Sequence, residues 1–320
     1  EPFYYSPQVS GLNCDGNVVV VGVAPAAKLG DPVAVTINGR PADEETYLTV
    51  ENAVRTVAVG KEIEPEISFD RVRGQNRVLL SGTIPVGAKA ITEEITVENP
   101  ARFAASRLVL ALVKAGVAVD TPLWVETGKT PANATELAAT VSKPLSVLLS
   151  DFLKPSDNLF GECLLKTVGA KTFPGKPGSV AGGRVAILAL LKNAGIGTGG
   201  LNVADGSGLS LQNTVTPRLM CDLLTWADTK LPPADRAVFL NALPVSGTSG
   251  TIRNRLKGTP LVGKVRGKTG TLSGASSLSG YLTAKSGERF VFSVLMNHYG
   301  TGASDARAAQ DAIVTALYER

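Results

Sequence analysis

Two short stretches hold the side chains best suited to chemistry. Lys154-Pro155-Ser156-Asp157-Asn158 sets a hydroxyl, a carboxylate and a carboxamide in a row. Arg266-Gly267-Lys268-Thr269-Gly270-Thr271 sets an ammonium group among glycines and hydroxyls. These types suit acyl transfer, in which a hydroxyl is activated and charge is stabilised where the oxyanion develops. Either triplet, Ser-Asp-Asn or Lys-Thr-Gly, recurs by chance in chains of this length. Their order and spacing carry the signal, together with their placement on a predicted interhelical loop and a predicted strand. Ser156 and Asp157 also fit a structural role, since both residue types favour the N-cap of a helix.

Other letter-matches fail in their context. Gly195-Ile196-Gly197-Thr198-Gly199-Gly200 reads as a dinucleotide fingerprint, but it follows a predicted helix instead of opening one, so it is a helix stop and turn. Gly258 to Lys264 resembles a phosphate loop, yet Val265 stands where Ser or Thr must hold magnesium. No G-x-S-x-G elbow occurs. The single histidine, His298, ends an apolar strand and reads as a packed or surface residue. Cys14, Cys163 and Cys221 form no C-x-x-C pair, and Cys163, set among Leu159, Phe160, Leu164 and Leu165, reads as a buried thiol. The odd cysteine count leaves the redox compartment open.

With their flanks, the two stretches resemble the second and third motifs of the penicillin-binding proteins and serine β-lactamases. The flanks are Asp205-Gly206-Ser207-Gly208-Leu209-Ser210, the run Leu243-Pro244-Val245-Ser246-Gly247-Thr248-Ser249-Gly250-Thr251-Ile252-Arg253, and Leu272 after the Lys-Thr-Gly-Thr segment. They are similar to the D-alanyl-D-alanine carboxypeptidase/endopeptidase family, low-molecular-mass penicillin-binding proteins with domains inserted in the catalytic domain. The resemblance covers residues 99–320 well and residues 1–98 in character only. It implies an α+β, β-lactamase/penicillin-binding-protein-like fold, an antiparallel sheet with flanking helices plus an all-α subdomain. It also implies a serine carboxypeptidase, with endopeptidase activity open, placed in the periplasm or otherwise outside the cytoplasmic membrane. The implied ligands are a peptidoglycan stem peptide ending in D-Ala-D-Ala and β-lactam antibiotics, with no metal or organic cofactor. By the same resemblance, Ser156 relays a proton from the nucleophile's lysine to the leaving amine. Asn158 holds the substrate amide and orients the motif lysine, while Lys268 lends positive potential. Thr269, Gly270 and Thr271 line the substrate strand, where the two threonines bind the terminal carboxylate and the Thr271 N–H forms half of the oxyanion hole. A β-lactamase shares these motifs but does not account for the β-rich leader.

One departure is decisive. The family's S-x-x-K motif, which supplies the nucleophile and its base, is absent: no serine has a lysine three residues on, and Ser150 and Lys154 are four apart. Losing the nucleophile from such a constellation costs on the order of 10⁶ in kcat. The expectation is a chain that represents the C-terminal part of such an enzyme, with an incomplete fold and an unpaired sheet edge along 289–297. Exposed apolar faces would then need a companion segment. A catalytically inactive module that binds peptidoglycan or a partner is the alternative.

The elements that must position these residues fall into two textures. Residues 1–98 read as a partial all-β inserted domain, with strands over 17–24, 33–37, 54–59, 66–72, 77–81 and 92–97 and a turn at Asn38-Gly39-Arg40-Pro41. Residues 99–320 read as the C-terminal part of the catalytic domain. Its helices are expected over 101–117, 144–153, 158–168, 180–193, 216–228, 233–243 and 303–318, and its strands over 264–272, 277–284 and 289–297. Charge follows the same division. The 320 residues carry a net charge of +4, with the acidic excess before residue 100 and the basic excess after it. The excess peaks between Arg253 and Lys268, six cations with no acid, which suits either an anionic ligand or a solvated basic face. No aromatic lies between Phe239 and Tyr281 to stack a base, which argues against nucleic acid. The apolar run 101–120 is broken by Arg102, Arg107 and Lys114, so it does not read as a membrane span. The first residues lack the pattern of a secretory signal, so any such signal is expected to have been removed.

Overall fold

A computed structural model describes all residues except 1, 46, 60–63, 120–124, 126, 127 and 301. They form two compact units, Glu1–Leu137 and Ala138–Arg320.

In the first unit, stretches mostly carrying β-branched residues form strands. These are β1 (Val18–Ala24), β2 (Ala34–Ile37), β3 (Arg40–Pro41), β4 (Thr49–Val57), β5 (Glu66–Arg71), β6 (Arg77–Pro85) and β7 (Ile91–Thr96). Among the described residues they make one sheet of order β3-β2-β1-β7 and another of order β4-β6-β5. The β4–β6 pair is parallel and the β5–β6 pair antiparallel. Val19, Val21 and Val23 on β1 meet Val78 and Leu80 on β6 in one core. Two expectations change. The expected turn at 38–41 ends in the short strand β3, and β4 begins at Thr49, ahead of its apolar end. Helix α1 (Pro100–Lys114) starts at an Asn99 N-cap, whose side chain accepts from the Arg102 N–H. It buries Phe103 in the same core, so the compact unit runs past the boundary expected at Asn99.

The second unit holds α2 (Leu145–Leu153), α3 (Asn158–Thr172), α4 (Val180–Asn193), α5 (Pro217–Lys230) and α6 (Pro233–Ala242). The strands β8 (Val265–Leu272), β9 (Ala275–Thr283) and β10 (Arg289–Asn297) and the helix α7 (Ala303–Tyr318) follow. The three strands pair antiparallel in the order β10-β9-β8. Helix α7 packs Val314 and Tyr318 against Leu278, Leu282 and Phe292. On the other side, Leu224 of α5, Leu240 of α6 and Leu243 just after it close over Tyr281, and Leu153 of α2 joins them. Among the described residues β10 pairs only with β9, leaving its outer edge open. Of the residues of α2, none is buried, although six of its nine are apolar, and Leu145 and Val147 are exposed. On α4, Val185, Leu188 and Leu190 are also exposed. The glycine-rich run after α4 is the expected helix stop: Gly195 adopts a φ of 71° and donates to the Lys192 carbonyl.

Candidate functional site

The chain brings Ser156 and Lys268 together within the second unit. The Lys268 Nζ donates to Ser156 Oγ at 2.6 Å, across a separation of 112 residues, and to its neighbour's carbonyl, Thr269 O, at 2.8 Å.

Ser156 is delivered by the way α2 stops. The N–H groups of Ser156 and Asp157 both donate to the Phe152 carbonyl, at 3.0 and 3.1 Å. This is a helix ending with the reversing residue in the left-handed region. That residue is Ser156, with φ of 66°. Glycine occupies such a position without penalty, whereas a side chain costs about 1–2 kcal/mol there. A serine stands there against this local preference. The two roles open to Ser156 and Asp157 are divided between them. Asp157 is the N-cap of α3, its side chain accepting from the Phe160 N–H at 3.0 Å, and Ser156 turns its hydroxyl to Lys268. Asn158 follows as the first residue of α3.

Lys268 is held by β8, whose first half is covered along its outer edge by residues 244–246. Ser246 N–H donates to Val265 O at 3.0 Å and Gly267 N–H donates to Pro244 O at 3.0 Å. The buried Ser246 hydroxyl donates to Leu261 O and accepts from the Val265 N–H, fixing that segment. Burial draws the Lys268 pKa from 10.5 down to about 8. An ammonium in this setting lies close enough to neutrality to give or take a proton near physiological pH.

Thr269 donates its hydroxyl to the Thr251 hydroxyl at 2.7 Å. Gly270 and Thr271 lie on the exposed end of β8, in register with Ser277 and Ser276 of β9. Thr251, which motif reading left among the flanks, was marked only by its place in the Gly-Thr-Ser-Gly-Thr run. Its partner is set by tertiary contact.

A second clamp ties the Asp205–Ser210 flank to α3. Gly161 and Gly206 approach so closely that a Cβ on Gly161 would lie 2.4 Å from the Gly206 carbonyl oxygen. One turn after Asn158, the Glu162 carboxylate accepts from Gly206 N–H at 2.8 Å and Ser207 N–H at 3.2 Å, and it pairs with Lys166 at 2.5 Å. Burial alone would raise its pKa, but the Lys166 ammonium and the two backbone donors hold it below the usual carboxylate value. Asp205 in turn accepts from the N–H groups of Gly208 and Ser210 and from the Asn213 amide.

The remaining motif residues stand elsewhere. His298 sits in the left-handed region after β10, its N–H on Gly274 O. Cys163 is half-buried, less than its apolar neighbours suggested, and burial raises its thiol pKa. Among the described residues no group of His, Cys, Asp and Glu could hold a metal ion, and no helix is long and apolar enough to cross a membrane.

Residues 1–319 match the family model of the D-Ala-D-Ala carboxypeptidase 3 (S13) family. The chain belongs to that family. It is 36% identical over 339 residues to a D-alanyl-D-alanine carboxypeptidase of Actinomadura sp. (strain R39), a match covering 100% of this chain and 59% of the relative. A second relative, the D-alanyl-D-alanine carboxypeptidase DacB of Haemophilus influenzae, is 31% identical over 245 residues, covering 76% of this chain and 50% of its own. The S13 chain thus spans between half and two thirds of the length of these curated relatives. The crystal structure of penicillin-binding protein 4 from H. influenzae superposes with a TM-score of 0.79 at 26% identity, over 100% of this chain and 70% of that one. The same protein complexed with a β-lactam gives a TM-score of 0.79 at 27% identity, over 98% of this chain and 73% of that one. The β-lactamase/penicillin-binding-protein-like α+β fold inferred from the motifs is the fold of the S13 chain.

Proposed function

We propose that the protein is a serine-type D-Ala-D-Ala carboxypeptidase of the periplasm or another extracytoplasmic compartment, acting on peptidoglycan stem peptides and inhibited by β-lactams. The observation that carries this reading is the 2.6 Å hydrogen bond from Lys268 to Ser156. A lysine with pKa about 8 and a hydroxyl in contact form a proton relay. In the reaction, a nucleophilic hydroxyl adds to the scissile carbonyl, the carbon–nitrogen bond breaks, and the nucleophile's proton reaches the departing D-Ala nitrogen through Ser156. Water then releases the acyl group. Asn158 holds the substrate amide, Lys268 supplies positive potential, and Thr269, Gly270 and Thr271 seat the terminal carboxylate, with the Thr271 N–H at the oxyanion. Endopeptidase cleavage of cross-links uses the same site on a longer leaving group.

The nucleophile in this proposal comes from a companion segment, because no S-x-x-K occurs in these 320 residues. The open edge of β10 and the exposed apolar sides of α2 and α4 give that segment a place to pair and pack. The same missing motif favours one other reading, an inactive peptidoglycan- or partner-binding module. Intact-mass analysis after incubation with a fluorescent penicillin, with every chain resolved, separates the two. A covalent adduct on a segment accompanying this chain supports the carboxypeptidase. No adduct on any chain leaves the binding module.

A further inference from the structure

We propose that Gln310 of α7 is a positioning residue for acyl transfer: through Ser276 it holds the β8–β9 turn, so that the Thr271 N–H stays aimed at the reacting carbonyl. The inference rests on the carboxypeptidase reading and adds a residue to it.

Along the outer edge of β8, Val265 O accepts from the Ser246 N–H, and the Gly267 N–H donates to Pro244 O. The backbone groups of an antiparallel strand alternate sides with period two, so Thr269 and Thr271 also turn theirs outward, away from β9. The bond from the Lys268 ammonium to Thr269 O agrees with this alternation. The covering segment reaches Gly267, whereas Thr271 lies beyond it on an exposed strand end. Its register partner on β9 is Ser276, and the alternation makes them a pair that exchanges no backbone hydrogen bonds. The aim of the Thr271 N–H therefore depends on how firmly the turn between β8 and β9 is held.

That turn is anchored from β10 and from α7. The His298 N–H donates to Gly274 O at 2.8 Å, and the Gln310 Nε2 donates to the Ser276 hydroxyl at 3.0 Å. Gln310 and Ser276 are both buried, Gln310 completely. On α7 the buried residues are Ala306, Gln310, Val314 and Tyr318, a stripe with a spacing of four. An amide in this otherwise mostly apolar stripe costs stability unless its polar atoms are bonded, and an apolar side chain of similar volume would fill the place without that demand.

The orientation of the amide is imposed from its other end. Arg255 Nη1 donates to Gln310 Oε1 at 3.1 Å, and Arg255 is itself fixed by Asp311 at 2.7 Å and by Arg307 O at 3.1 Å. A guanidinium only donates, so the amide oxygen must face Arg255 and the amide nitrogen must face Ser276. A rigid ion pair on the surface of α7 thus sets the direction of a buried donor, and that donor holds the strand residue opposite Thr271.

The test uses the protein together with the segment that carries its nucleophile, acylated by benzylpenicillin labelled isotopically at the β-lactam carbonyl. Difference infrared spectroscopy reads the stretch of the acyl carbonyl, which falls in wavenumber as oxyanion donors polarise it. Stopped-flow kinetics separates the acylation rate from the preceding binding step. Gln310→Met and Ser276→Ala are each expected to raise the carbonyl wavenumber and to slow acylation about tenfold with binding unchanged. That is part of the roughly 10²–10³ lost with a whole oxyanion donor. The double variant is expected to be no slower than the worse single one, because both act through one contact. Melting temperature checks folding, and Ser276→Ala, which removes one oxygen, carries the test if Gln310→Met does not fold. If the wild type is acylated and the folded variants keep its carbonyl wavenumber or its acylation rate, the role of Gln310 is refuted while the carboxypeptidase reading stands. If the wild type forms no adduct, the carboxypeptidase reading fails and takes this inference with it.

Discussion

Two sheltered cations, one in each unit, have opposite surroundings. In the first unit Arg71 lies against the Glu98 carboxylate at 2.5 Å and also donates to the Gln75 carbonyl. Burial pushes the Glu98 pKa up, but Arg71 overrides it and the net shift is downward. In the second unit Lys268 faces a hydroxyl, and burial alone sets its pKa, at about 8. A neutralised cation locks strands together. A cation without counter-charge is costly to keep and is available to an incoming anion or proton.

The comparison breaks most clearly by removing each cation. With the proposed companion segment supplying the nucleophile, Lys268→Met is expected to lower kcat by about 10² to 10⁴, the range for a lost proton-transfer group, without lowering the melting temperature. Arg71→Met is expected to do the reverse: turnover persists, while unfolding in urea shows a loss of about 3 kcal/mol because Glu98 is stranded. If the lysine variant also melted early, the contrast between a structural and a functional cation would collapse.

The pH dependence sharpens it. Lys268 has a lower pKa folded than unfolded, so between about 8 and 10.5 the unfolded chain binds more protons and stability rises with pH. Glu98 is also depressed, so its contribution is complete above the unfolded carboxylate value and is lost as pH falls through the folded one. Melting temperature scanned across both windows is expected to show a rise on the alkaline side that Lys268→Met abolishes. It is also expected to show an acid limb that Arg71→Met flattens.

Smaller effects follow in the second unit. Ser156→Gly relieves the left-handed strain and is expected to gain about 1 kcal/mol by denaturant unfolding while losing turnover. Glu162→Gln keeps an acceptor for Gly206 but loses the charge that holds Lys166 and the loop. Chemical denaturation is expected to show a loss of about 1 kcal/mol at neutral pH, and less below the pKa of Glu162. A serine variant that gained no stability would remove the argument that strain is retained there for function.

Much of the framework was legible along the chain. Helix α4, strand β10 and helix α7 lie at the bounds read from periodicity, because long amphipathic helices and alternating strands write their pattern locally. Strand β4 was harder. Its early residues, Thr49 to Ala53, carry little apolar signal, and pairing with β6 makes them a strand. Helix α1 looked like the opening of the second domain, yet Phe103 packs into the core of the first unit, which no window of sequence shows.

For the site, the sequence by itself determined the residue types: Ser156, Asn158, Lys268, Thr269, Gly270 and Thr271, the flanks around them, and the absence of any S-x-x-K. It also determined where α3 begins, since Asp157 is a cap by type and proved to be one by contact. Only the tertiary structure decided that Ser156 turns left-handed toward Lys268, that burial lowers the lysine's pKa, and that Thr251 meets Thr269. These are contacts between residues far apart in the chain and an effect of desolvation. Both come from how the packed elements exclude water, and residue order alone does not encode them pairwise.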